Sequence, residues 1–452
     1  MNILFFCQSR SLDVFHQTLL RLQKRFPDIR AGFYVADLFH YEGFLKKHPS
    51  FEKDFAVLGQ WDICREAVSR KPDWDLLNRY EKEIGDPTLW APLVTDRRLW
   101  MGRNASYFQD YAPALSFEKT ASILTVALEK IDAFMQRIQP DLVLTLYTAT
   151  FGDCLAHLFA KAKKIRSLDL RLSRIQNRVA FCDGVVEPPP HIVRHFHAFR
   201  DEIPPSLRTE AENYIRGVQE HRAIYEGAMP AKEKRLPVTQ ATSKSWHDSA
   251  VKAMRLLESE WKRHRAPYCF DLLPPGVLQV WFQKKIRGPW HVHRVRKTFK
   301  NRFVRKEQLE NLDYVLYPLH VEPELVLSQF ARPFLNQIEV VRNSAFSIPV
   351  GMKLLVKEHP MMVGRRTFSY YRKLLEIPNV ELLDLDLASD TAIRHARAVI
   401  ILRGSIGLEA AILKKPVLSL GQSLFDLLPS SLYRKCTNLY ELPQTFTDLL
   451  AH

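Results

Sequence analysis

The residues of this sequence that are best suited to chemistry lie in two loops of its last third. In the first loop, a short, largely apolar strand predicted at 353–356 leads into a titratable imidazole, His359, with charged residues before and after it. Lysine and arginine neutralise a phosphate and histidine donates a hydrogen bond to it, so the loop suits a monophosphate or diphosphate. A histidine that only caps a strand end is the alternative. The candidate binding residues here are Lys357, His359, Pro360 and Arg365, and Glu358 and Arg366 add further charge to the loop.

The second loop follows the apolar residues 398–402 and begins a helix. A Gly-Ser turn that opens a helix presents free backbone N–H groups and the positive end of the helix dipole to an anion. A serine N-cap in a tight strand-to-helix turn explains the same residues without a ligand. Glu409 either complements the helix dipole in the first turn or accepts hydrogen bonds from a ribose. We predict one side of a nucleotide site from Gly404, Ser405, Gly407 and Glu409.

Carboxylates at other strand ends are candidates for acid–base or nucleophilic catalysis. Glu322 and Glu324 follow a largely apolar strand predicted at 313–319, and Asp153 follows another predicted at 141–147. A solvated strand end is the alternative for the two glutamates. Asp169 and Arg171 form a further charged group near the predicted cleft, for which a surface ion pair is the expected arrangement. We take Glu322, His359 and Asp153 as the catalytic candidates.

The elements that must position these loops alternate between strand and helix. The chain opens with a buried strand at 2–7, a helix at 13–26 and a second strand at 31–35. No GxGxxG motif joins the first strand to the helix, which disfavours a dinucleotide dehydrogenase. Residues 41–110 show no clear pattern.

The second half alternates more densely, and its pattern predicts a second doubly wound parallel sheet. A helix is expected from Pro333, and a long helical stretch is expected over 191–224. Two Rossmann-like sheets that face one another across a cleft make an α/β architecture of the GT-B type. Ligands of such sheets bind beyond the carboxyl ends of the strands. The expected division is a Rossmann-like domain at 1–235, a helical basic insertion at 236–310 and a second Rossmann-like domain at 311–452.

The composition of the 452 residues excludes several classes of protein. Six cysteines are scattered without a CxxC pair, which argues against a disulfide scaffold or a zinc site and favours a reducing cytoplasm. No signal peptide or apolar stretch of spanning length is evident. No metal-ligand cluster or DxD motif is evident either, so we expect metal-independent catalysis and no cofactor.

The net charge of +15 predicts an anionic partner. Residues 284–306 contain ten lysines or arginines and no acidic residue, with aromatic side chains interleaved. A solvated helical face is one interpretation, and a surface for anionic lipid is the other. Nucleic acid is disfavoured because no RNA- or DNA-binding signature accompanies the charge.

Three segments resemble the capsule polysaccharide biosynthesis family, which includes the Kdo transferases of capsule and lipopolysaccharide assembly. They are YPLHVEPE at 317–324, VKEHPMMVGRR at 356–366 and RGSIGLEAAILKKPVLSLG at 403–421. The resemblance covers residues 312–437 and extends more faintly to 169–179.

The resemblance implies a GT-B glycosyltransferase that uses a nucleotide-activated sugar, often a CMP-activated acidic one. It implies that the domain at 1–235 is the acceptor side and that the domain at 311–452 binds the nucleotide sugar. On that basis His359 and Pro360 form the HP motif that meets the nucleotide phosphate, and Ser405 meets the phosphate as well. Glu322 falls in the VE motif near the donor. Arg403 departs from the family pattern, which more often has a small polar residue there.

Three functions are compatible with these features. The first is a glycosyltransferase that builds a surface polysaccharide or glycolipid in the cytoplasm, at the inner face of a membrane. The second is a nucleotide-sugar epimerase or hydrolase on the same fold. The third is a non-catalytic module for polysaccharide biosynthesis or export. The basic segment favours the first over the second, and the joint presence of Glu322, His359 and Ser405 disfavours the third.

Overall fold

The structure is a computed structural model. The structure describes residues 1–96, 115–173, 178–184, 188–200, 202–220, 282–322 and 326–451, together with Leu99, Ile175, Met254, Leu257, Glu258, Trp261 and Glu324. Most of the first part of the insertion expected at 236–310, up to residue 281, lies outside these residues.

The first domain is built on a six-stranded sheet in the order β3-β2-β1-β4-β5-β6. Every neighbouring pair is parallel except β5 and β6, which are antiparallel. Because the chain moves outward from β1 to β3 and then returns to the other side of β1, the sheet has a topological switch point between β1 and β4. The strands are β1 Asn2–Cys7, β2 Arg30–Val35, β3 Ala56–Gly59, β4 Leu142–Leu146, β5 Arg166–Leu172 and β6 Val179–Asp183.

The second domain is built on a seven-stranded parallel sheet in the order β13-β12-β11-β8-β9-β10-β7. Its switch point lies between β8 and β11 for the same reason. The strands are β7 Phe303–Val304, β8 Tyr314–Pro318, β9 Lys353–Lys357, β10 Val380–Leu383, β11 Ala398–Ile401, β12 Val417–Ser419 and β13 Tyr433–Lys435. Two doubly wound sheets confirm the predicted α/β fold class.

Helices cover both faces of each sheet and bury apolar side chains against it. In the first domain the α-helices are Ser11–Arg25, Leu38–Leu45, Phe51–Asp54, Gln60–Ser69, Trp74–Ile84, Trp90–Thr95, Phe117–Ile138, Phe151–Ala162, Pro190–Phe199 and Pro205–Gln219. The α-helices that follow are Gly288–Thr298, Gln337–Ala345, Phe368–Leu375, Ser389–His395, Ser405–Ile412 and Leu442–Leu450.

Two expected helices differ from those observed, and prolines explain the first difference. The stretch 191–224 contains two helices, because Pro204 and Pro205 interrupt the backbone hydrogen-bond pattern between Phe199 and the next helix. The helix expected from Pro333 begins only at Gln337, after a 3₁₀ turn over Arg332–Phe334.

Part of the basic segment is integrated into the second domain. Strand β7 pairs with β10 at the sheet edge, and Arg302 donates a hydrogen bond of 2.7 Å to the carbonyl of Val380. Helix Gly288–Thr298 buries Val292 and Val295, while the ring of Phe299 stacks on Phe368 at 5.1 Å between centroids. The domain limits expected from sequence remain predictions, since residues 221–281 are described only at isolated positions.

Candidate functional site

Three loops of the second domain meet at the carboxyl ends of its central strands. They follow β8, β9 and β11, which are neighbours in the sheet, and β8 and β11 flank the switch point. His320, after β8, lies between the other two loops. Its Cε1 lies 3.7 Å from the position that a Cβ on Gly404 would occupy. Burial, with the positive charges of Arg366 and Arg403 nearby, lowers the pKa of His320 to about 3, so this imidazole is neutral at physiological pH.

The turn after β11 depends on a glycine. Gly404 is the N-cap of helix Ser405–Ile412, with φ 130° and ψ 173°, a conformation that is essentially restricted to glycine. No side chain caps this helix at its N-cap position. The backbone at Gly404 and Ser405 therefore presents the helix N-terminus to the crevice, as the sequence predicted for an anion site.

Gly404→Ala is expected to lower the free energy of unfolding by about 1–3 kcal/mol, because an added Cβ strains the backbone. Contact with neighbouring atoms contributes little, since the nearest side-chain atom would be 3.7 Å away. Urea unfolding monitored by circular dichroism measures the change. Gly43→Ala is the control: this helical glycine has open space around its Cβ position, and alanine should raise stability by roughly 0.5–1 kcal/mol. Equal effects at the two positions would contradict the strain argument.

His359 is held by its own loop. Its backbone N–H donates to Glu358 Oε1 at 2.7 Å, and its Nδ1 accepts the N–H of Met361 at 3.2 Å. Because Nδ1 is an acceptor, the neutral imidazole carries its proton on Nε2. His359 is thus prepared to donate a hydrogen bond from Nε2.

Arg366 and its two carboxylates form a buried network behind His359. The guanidinium contacts Glu358 through Nε at 2.9 Å and Glu322 through an NH group at 3.0 Å, with all three side chains almost fully buried. Burial by itself lowers the pKa of Arg366, but Glu358, Tyr370 and Glu322 raise it well above its ordinary value. Arg366 is therefore a structural cation.

The catalytic candidate Glu322 belongs to this network. Its Oε1 also accepts hydrogen bonds from the side-chain amide of Gln337 and from the hydroxyl of Tyr370. A carboxylate with these partners links the β8 loop to the β9 loop. This placement supports a structural role for Glu322, whereas its catalytic role remains an untested prediction.

The other cations expected in the phosphate cluster point elsewhere. Lys357 is buried, with its Nζ 3.4 Å and 3.5 Å from the carbonyl oxygens of Glu358 and Leu385, and burial lowers its pKa. Arg365 is exposed, and Pro360 is exposed at the start of a 3₁₀ turn. The structure brings His359, Gly404 and Ser405 to one edge of the sheet but does not gather Lys357 and Arg366 around them.

Two residues of the second loop have different surroundings from those expected. A Cβ on Gly407 would lie 2.4 Å from Ile401 Cδ1, so this glycine is explained by close packing of the helix on β11. Glu409 is the fifth residue of helix Ser405–Ile412 and lies outside its first turn, which contains no acidic residue. The dipole explanation for Glu409 was therefore wrong. Its proposed contact with a ribose remains a prediction.

Asp153, the catalytic candidate of the first domain, lies at the switch point of that sheet. It forms a capping box with Thr150, and its Oδ2 also accepts hydrogen bonds from Ala149 N at 3.0 Å and Gln8 Nε2 at 3.1 Å. The side chain is fully buried, and this burial raises the pKa of Asp153 to about 7. These contacts fix the turn that follows β4.

Asp153 predicts a pH dependence of stability. Its folded-state pKa of about 7 lies above the unfolded value of about 3.9, so the unfolded chain loses this proton first. The stabilising contribution is complete below pH 4 and is lost as the pH rises to 7, with at most roughly 1.4 kcal/mol per pH unit. Asp153→Asn, which does not titrate, should gain stability relative to the wild type over this range. If the curves of unfolding free energy against pH for the wild type and Asp153→Asn are parallel, the pKa of Asp153 is not raised in the folded protein.

The ion pair of Asp169 and Arg171 is buried, contrary to the expected surface pair. Arg171 Nε donates to Asp169 Oδ2 at 2.6 Å, and the other oxygen of this carboxylate accepts hydrogen bonds from Thr145 Oγ1 and Thr148 N. Thr148 has φ 30°, so the carboxylate holds a left-handed turn at the end of β4. His157 completes the network with its Nε2 2.9 Å from Thr145 Oγ1, and burial lowers its pKa to about 4.

Phe330, whose ring contacts arginines of both domains, was not among the residues predicted from the sequence. The guanidinium carbon of Arg171 lies 5.0 Å from the ring centroid of Phe330, and that of Arg403 lies 3.4 Å from the same centroid. Ser328 Oγ, in the same segment, donates to the carbonyl of Thr95 at 3.3 Å. The sequence contained one indication of this contact, because Arg403 departs from the family pattern. The ring of Phe330 is the partner of its guanidinium.

Over the described ranges, no three His, Cys, Asp or Glu side chains come together as a metal site requires.

These features define a protein of two Rossmann-like domains. At the carboxyl ends of the central strands of the second sheet lie a helix N-terminus and His359, whose Nε2 carries the proton of the neutral imidazole. A family model described as capsule polysaccharide biosynthesis protein matches residues 226–429. The match confirms, for this part of the chain, the resemblance that the three sequence segments indicated. A comparison with curated protein sequences gave no match.

Among solved structures, similarity is found to a beta Kdo 2,7 transferase, KpsC of Thermosulfurimonas dismutans. Identity is 10%, coverage is 68% of this chain and 73% of that chain, and the TM-score is 0.36. UDP-GlcNAc 2-epimerase from Neisseria meningitidis, bound to UDP-GlcNAc, has 13% identity, covers 100% of this chain and 92% of that chain, and gives a TM-score of 0.28. CalG4, the calicheamicin glycosyltransferase, has 12% identity, 100% and 89% coverage and a TM-score of 0.26. Likenesses this weak say nothing about activity.

Proposed function

We propose that this protein is a glycosyltransferase that moves an acidic sugar, such as Kdo, from a CMP-activated donor to a growing surface polysaccharide or lipid-linked acceptor. The observation that carries the proposal is the family match over residues 226–429. These residues include the loop with His359 and Pro360, called the HP loop, and the loop with Gly404 and Ser405, called the Gly-Ser loop. Both loops lie at the carboxyl edge of the central strands, where nucleotides bind to sheets of this type.

The proposed roles follow from the geometry of the loops. The helix N-terminus at Gly404 and Ser405 binds the donor phosphate through backbone N–H groups and the helix dipole. His359 donates a hydrogen bond from Nε2 to the same phosphate as its negative charge grows with departure of the sugar. The protein's own donors thus stabilise the leaving group.

A thermal-shift screen followed by a transfer assay tests this proposal. A ligand that binds only the native state raises its stability, so CMP and CMP-Kdo should raise the melting temperature where UDP, GDP and UDP-GlcNAc do not. CMP-Kdo and a Kdo-terminated glycolipid should then yield an extended product. Stabilisation by UDP alone, or epimerisation of UDP-GlcNAc without an acceptor, would replace the proposal with the epimerase alternative.

We also propose that the basic segment 284–306 holds the enzyme on an anionic membrane surface. No helix in the described ranges is long and apolar enough to cross a bilayer. Phe299 and Phe303 pack against the core, whereas Ile286 and Trp290 are exposed beside exposed basic residues. An exposed apolar side chain surrounded by cations suits the headgroup region of a bilayer.

Replacing Lys285, Lys297 and Lys300 with Gln is expected to weaken binding to phosphatidylserine liposomes. Each cation near the surface contributes up to about 1 kcal/mol, within a Debye length of about 8–10 Å. Binding is measured by co-sedimentation at several salt concentrations and should fall steeply as salt rises. The matched control replaces the exposed Lys24, Lys46 and Lys53 of the first domain. If the wild-type protein does not bind the liposomes even at low salt, the basic segment is only a solvated face and the membrane proposal fails.

A further inference from the structure

We propose that anionic lipid bound to the basic segment 284–306 strengthens donor binding at the HP loop. The two parts of the molecule are in direct contact through helix Gly288–Thr298 of the basic segment. This inference rests on the proposed function and its membrane surface, and it adds the regulation of the donor site by that surface. Such regulation favours transfer where the enzyme is bound to lipid.

The contact joins the backbones of two glycines. Gly364 of the HP loop has φ 79°, and a Cβ at this position would lie 3.1 Å from the carbonyl oxygen of Gly288 and 3.3 Å from its Cα. No side chain separates the two backbones. Because no change of rotamer can absorb a shift at such a contact, a displacement of Gly288 moves the backbone at Gly364.

Successive turns connect this contact to His359. The N–H of Arg365 donates to the carbonyl of Met362 at 2.9 Å, and the N–H of Met362 donates to the carbonyl of His359 at 2.8 Å. Arg366 pairs with Glu358, whose Oε1 also accepts the N–H of His359. A shift at the glycine contact therefore reaches the histidine that is proposed to bind the donor phosphate.

The helix of the basic segment presents opposite faces to the protein and to solvent. Gly288, Val292 and Val295 follow one another at i, i+4 and i+7, which places them on one inner face, and both valines are buried. The side chains of the outer face are exposed and include an aromatic ring and a cation. They are Trp290, His293 and Lys297. One helix thus joins the surface proposed to face lipid to the donor loop.

The carboxyl end of this helix is anchored to the second domain. Arg296 pairs with Asp386 at 2.6 Å, and strand β7 follows at the sheet edge. The amino end follows a π-helical turn, Gln283–Arg287, a form that is rare and is frequent at functional sites. With the carboxyl end anchored, the two states of the device are docking and release of the amino end at Gly288.

Positive charge at the amino end opposes docking. Lys285 and Arg287 immediately precede the helix, its first turn contains no acidic residue, and cations are unfavourable at a helix N-terminus. Burial, together with the charges of Arg287 and Arg294, lowers the pKa of His291 in the same helix. An anionic headgroup neutralises these cations and a zwitterionic one does not, so anionic lipid stabilises the docked helix.

Hydrogen exchange and nucleotide titration test this coupling in the full chain. Phosphatidylserine vesicles should slow amide exchange over residues 359–366, a measurement that needs no donor, whereas phosphatidylcholine vesicles should not. Phosphatidylserine vesicles should also lower the Kd for CMP by about 5- to 20-fold, within the usual range of allosteric coupling. Because such coupling is reciprocal, saturating CMP should strengthen vesicle binding by the same factor.

Two glycine variants test the contact itself. Gly364→Ala should keep vesicle binding but lose both responses, because the added Cβ crowds the backbone of Gly288. Gly184→Ala is the matched control. This glycine also has a positive φ, of 62°, but its Cβ would lie 3.6 Å from the nearest atom, so the variant should respond as the wild type does.

Two surface variants test the charge argument without a change in the loop. Lys285 precedes the amino end of the helix and Lys300 lies just beyond its carboxyl end, and both are exposed. At saturating phosphatidylserine, Lys285→Gln should reduce the change in the Kd for CMP, whereas Lys300→Gln should leave it intact.

The outcomes separate this inference from the proposed function. Slowed exchange in a protein that does not bind CMP supports the coupling and refutes only the proposed donor. Vesicle binding that changes neither exchange nor the Kd for CMP overturns the inference. An undiminished response in Gly364→Ala, or an equal response to phosphatidylcholine, overturns it as well. Absence of vesicle binding overturns it together with the membrane proposal.

Discussion

Replacing Arg366 with Met is expected to destabilise the second domain by about 3–5 kcal/mol. The guanidinium contacts the two buried carboxylates Glu322 and Glu358 and donates to the carbonyl of His320. Methionine fills similar volume but leaves both carboxylates buried without their cation. The penalty of an uncompensated buried charge, rather than the lost attraction, dominates this cost.

Urea unfolding of the two variants Arg366→Met and Arg365→Met measures the effect. Arg365 is the next residue in sequence and is exposed, so its substitution should change the free energy of unfolding by less than about 0.5 kcal/mol. Unfolding of Arg366→Met at the wild-type urea concentration would show that the network does not hold the loops together.

A triple variant tests the same mechanism from the opposite direction. Glu322→Gln and Glu358→Gln remove the two charges that Arg366→Met leaves unpaired, so adding them should restore much of the lost stability. Groups that share a network are not additive, and the departure from additivity is expected to be about 0.5–3 kcal/mol. A triple variant that is less stable than Arg366→Met alone would mean that the other hydrogen bonds of the two carboxylates, to Gln337 and Tyr370 at Glu322 and to Tyr371 at Glu358, matter more than the unpaired charges.

The central strands could be predicted from sequence because they are buried on both faces. Strands β1, β4, β8, β9 and β11 each contain a largely apolar run, interrupted in β4 only by Thr145, which is the pattern of a parallel strand between helix layers. The strands that were missed are short and lie at or near sheet edges. In β6, for example, Val179 and Phe181 are exposed, so the sequence shows no run long enough to stand out from a loop.

The site could be predicted in position but not in orientation. Sequence places Lys357, Glu358 and His359 at one strand end, but consecutive side chains leave a strand in different directions. Arg366, seven residues beyond His359, pairs with Glu358 on the buried side of the loop. This distant partner determines the direction of the Glu358 side chain, and the local sequence does not reveal it. The same limit applies to Asp169 and Arg171, since nothing local indicates that β6 and Phe330 cover them.

Substitution of His359 is expected to produce the largest loss of activity. His359→Ala and His359→Asn should each lower kcat for transfer from CMP-Kdo by about 30- to 1000-fold, equivalent to roughly 2–4 kcal/mol of lost transition-state stabilisation. The reason is the Nε2–H, which both variants lack. Ser405→Ala should lower kcat less, because the backbone N–H groups of the helix N-terminus remain.

The pair of His359 variants separates chemistry from folding. The Nδ1 of His359 caps the turn by accepting the N–H of Met361, and the side-chain oxygen of asparagine can take over this bond, whereas alanine cannot. His359→Asn should therefore unfold at the wild-type urea concentration while remaining as inactive as His359→Ala. Should His359→Asn keep turnover within twofold of the wild type, the Nε2–H does not act on the leaving phosphate. The HP loop would then contribute only the shape of the crevice, and the helix N-terminus at Gly404 and Ser405 would have to stabilise the phosphate alone.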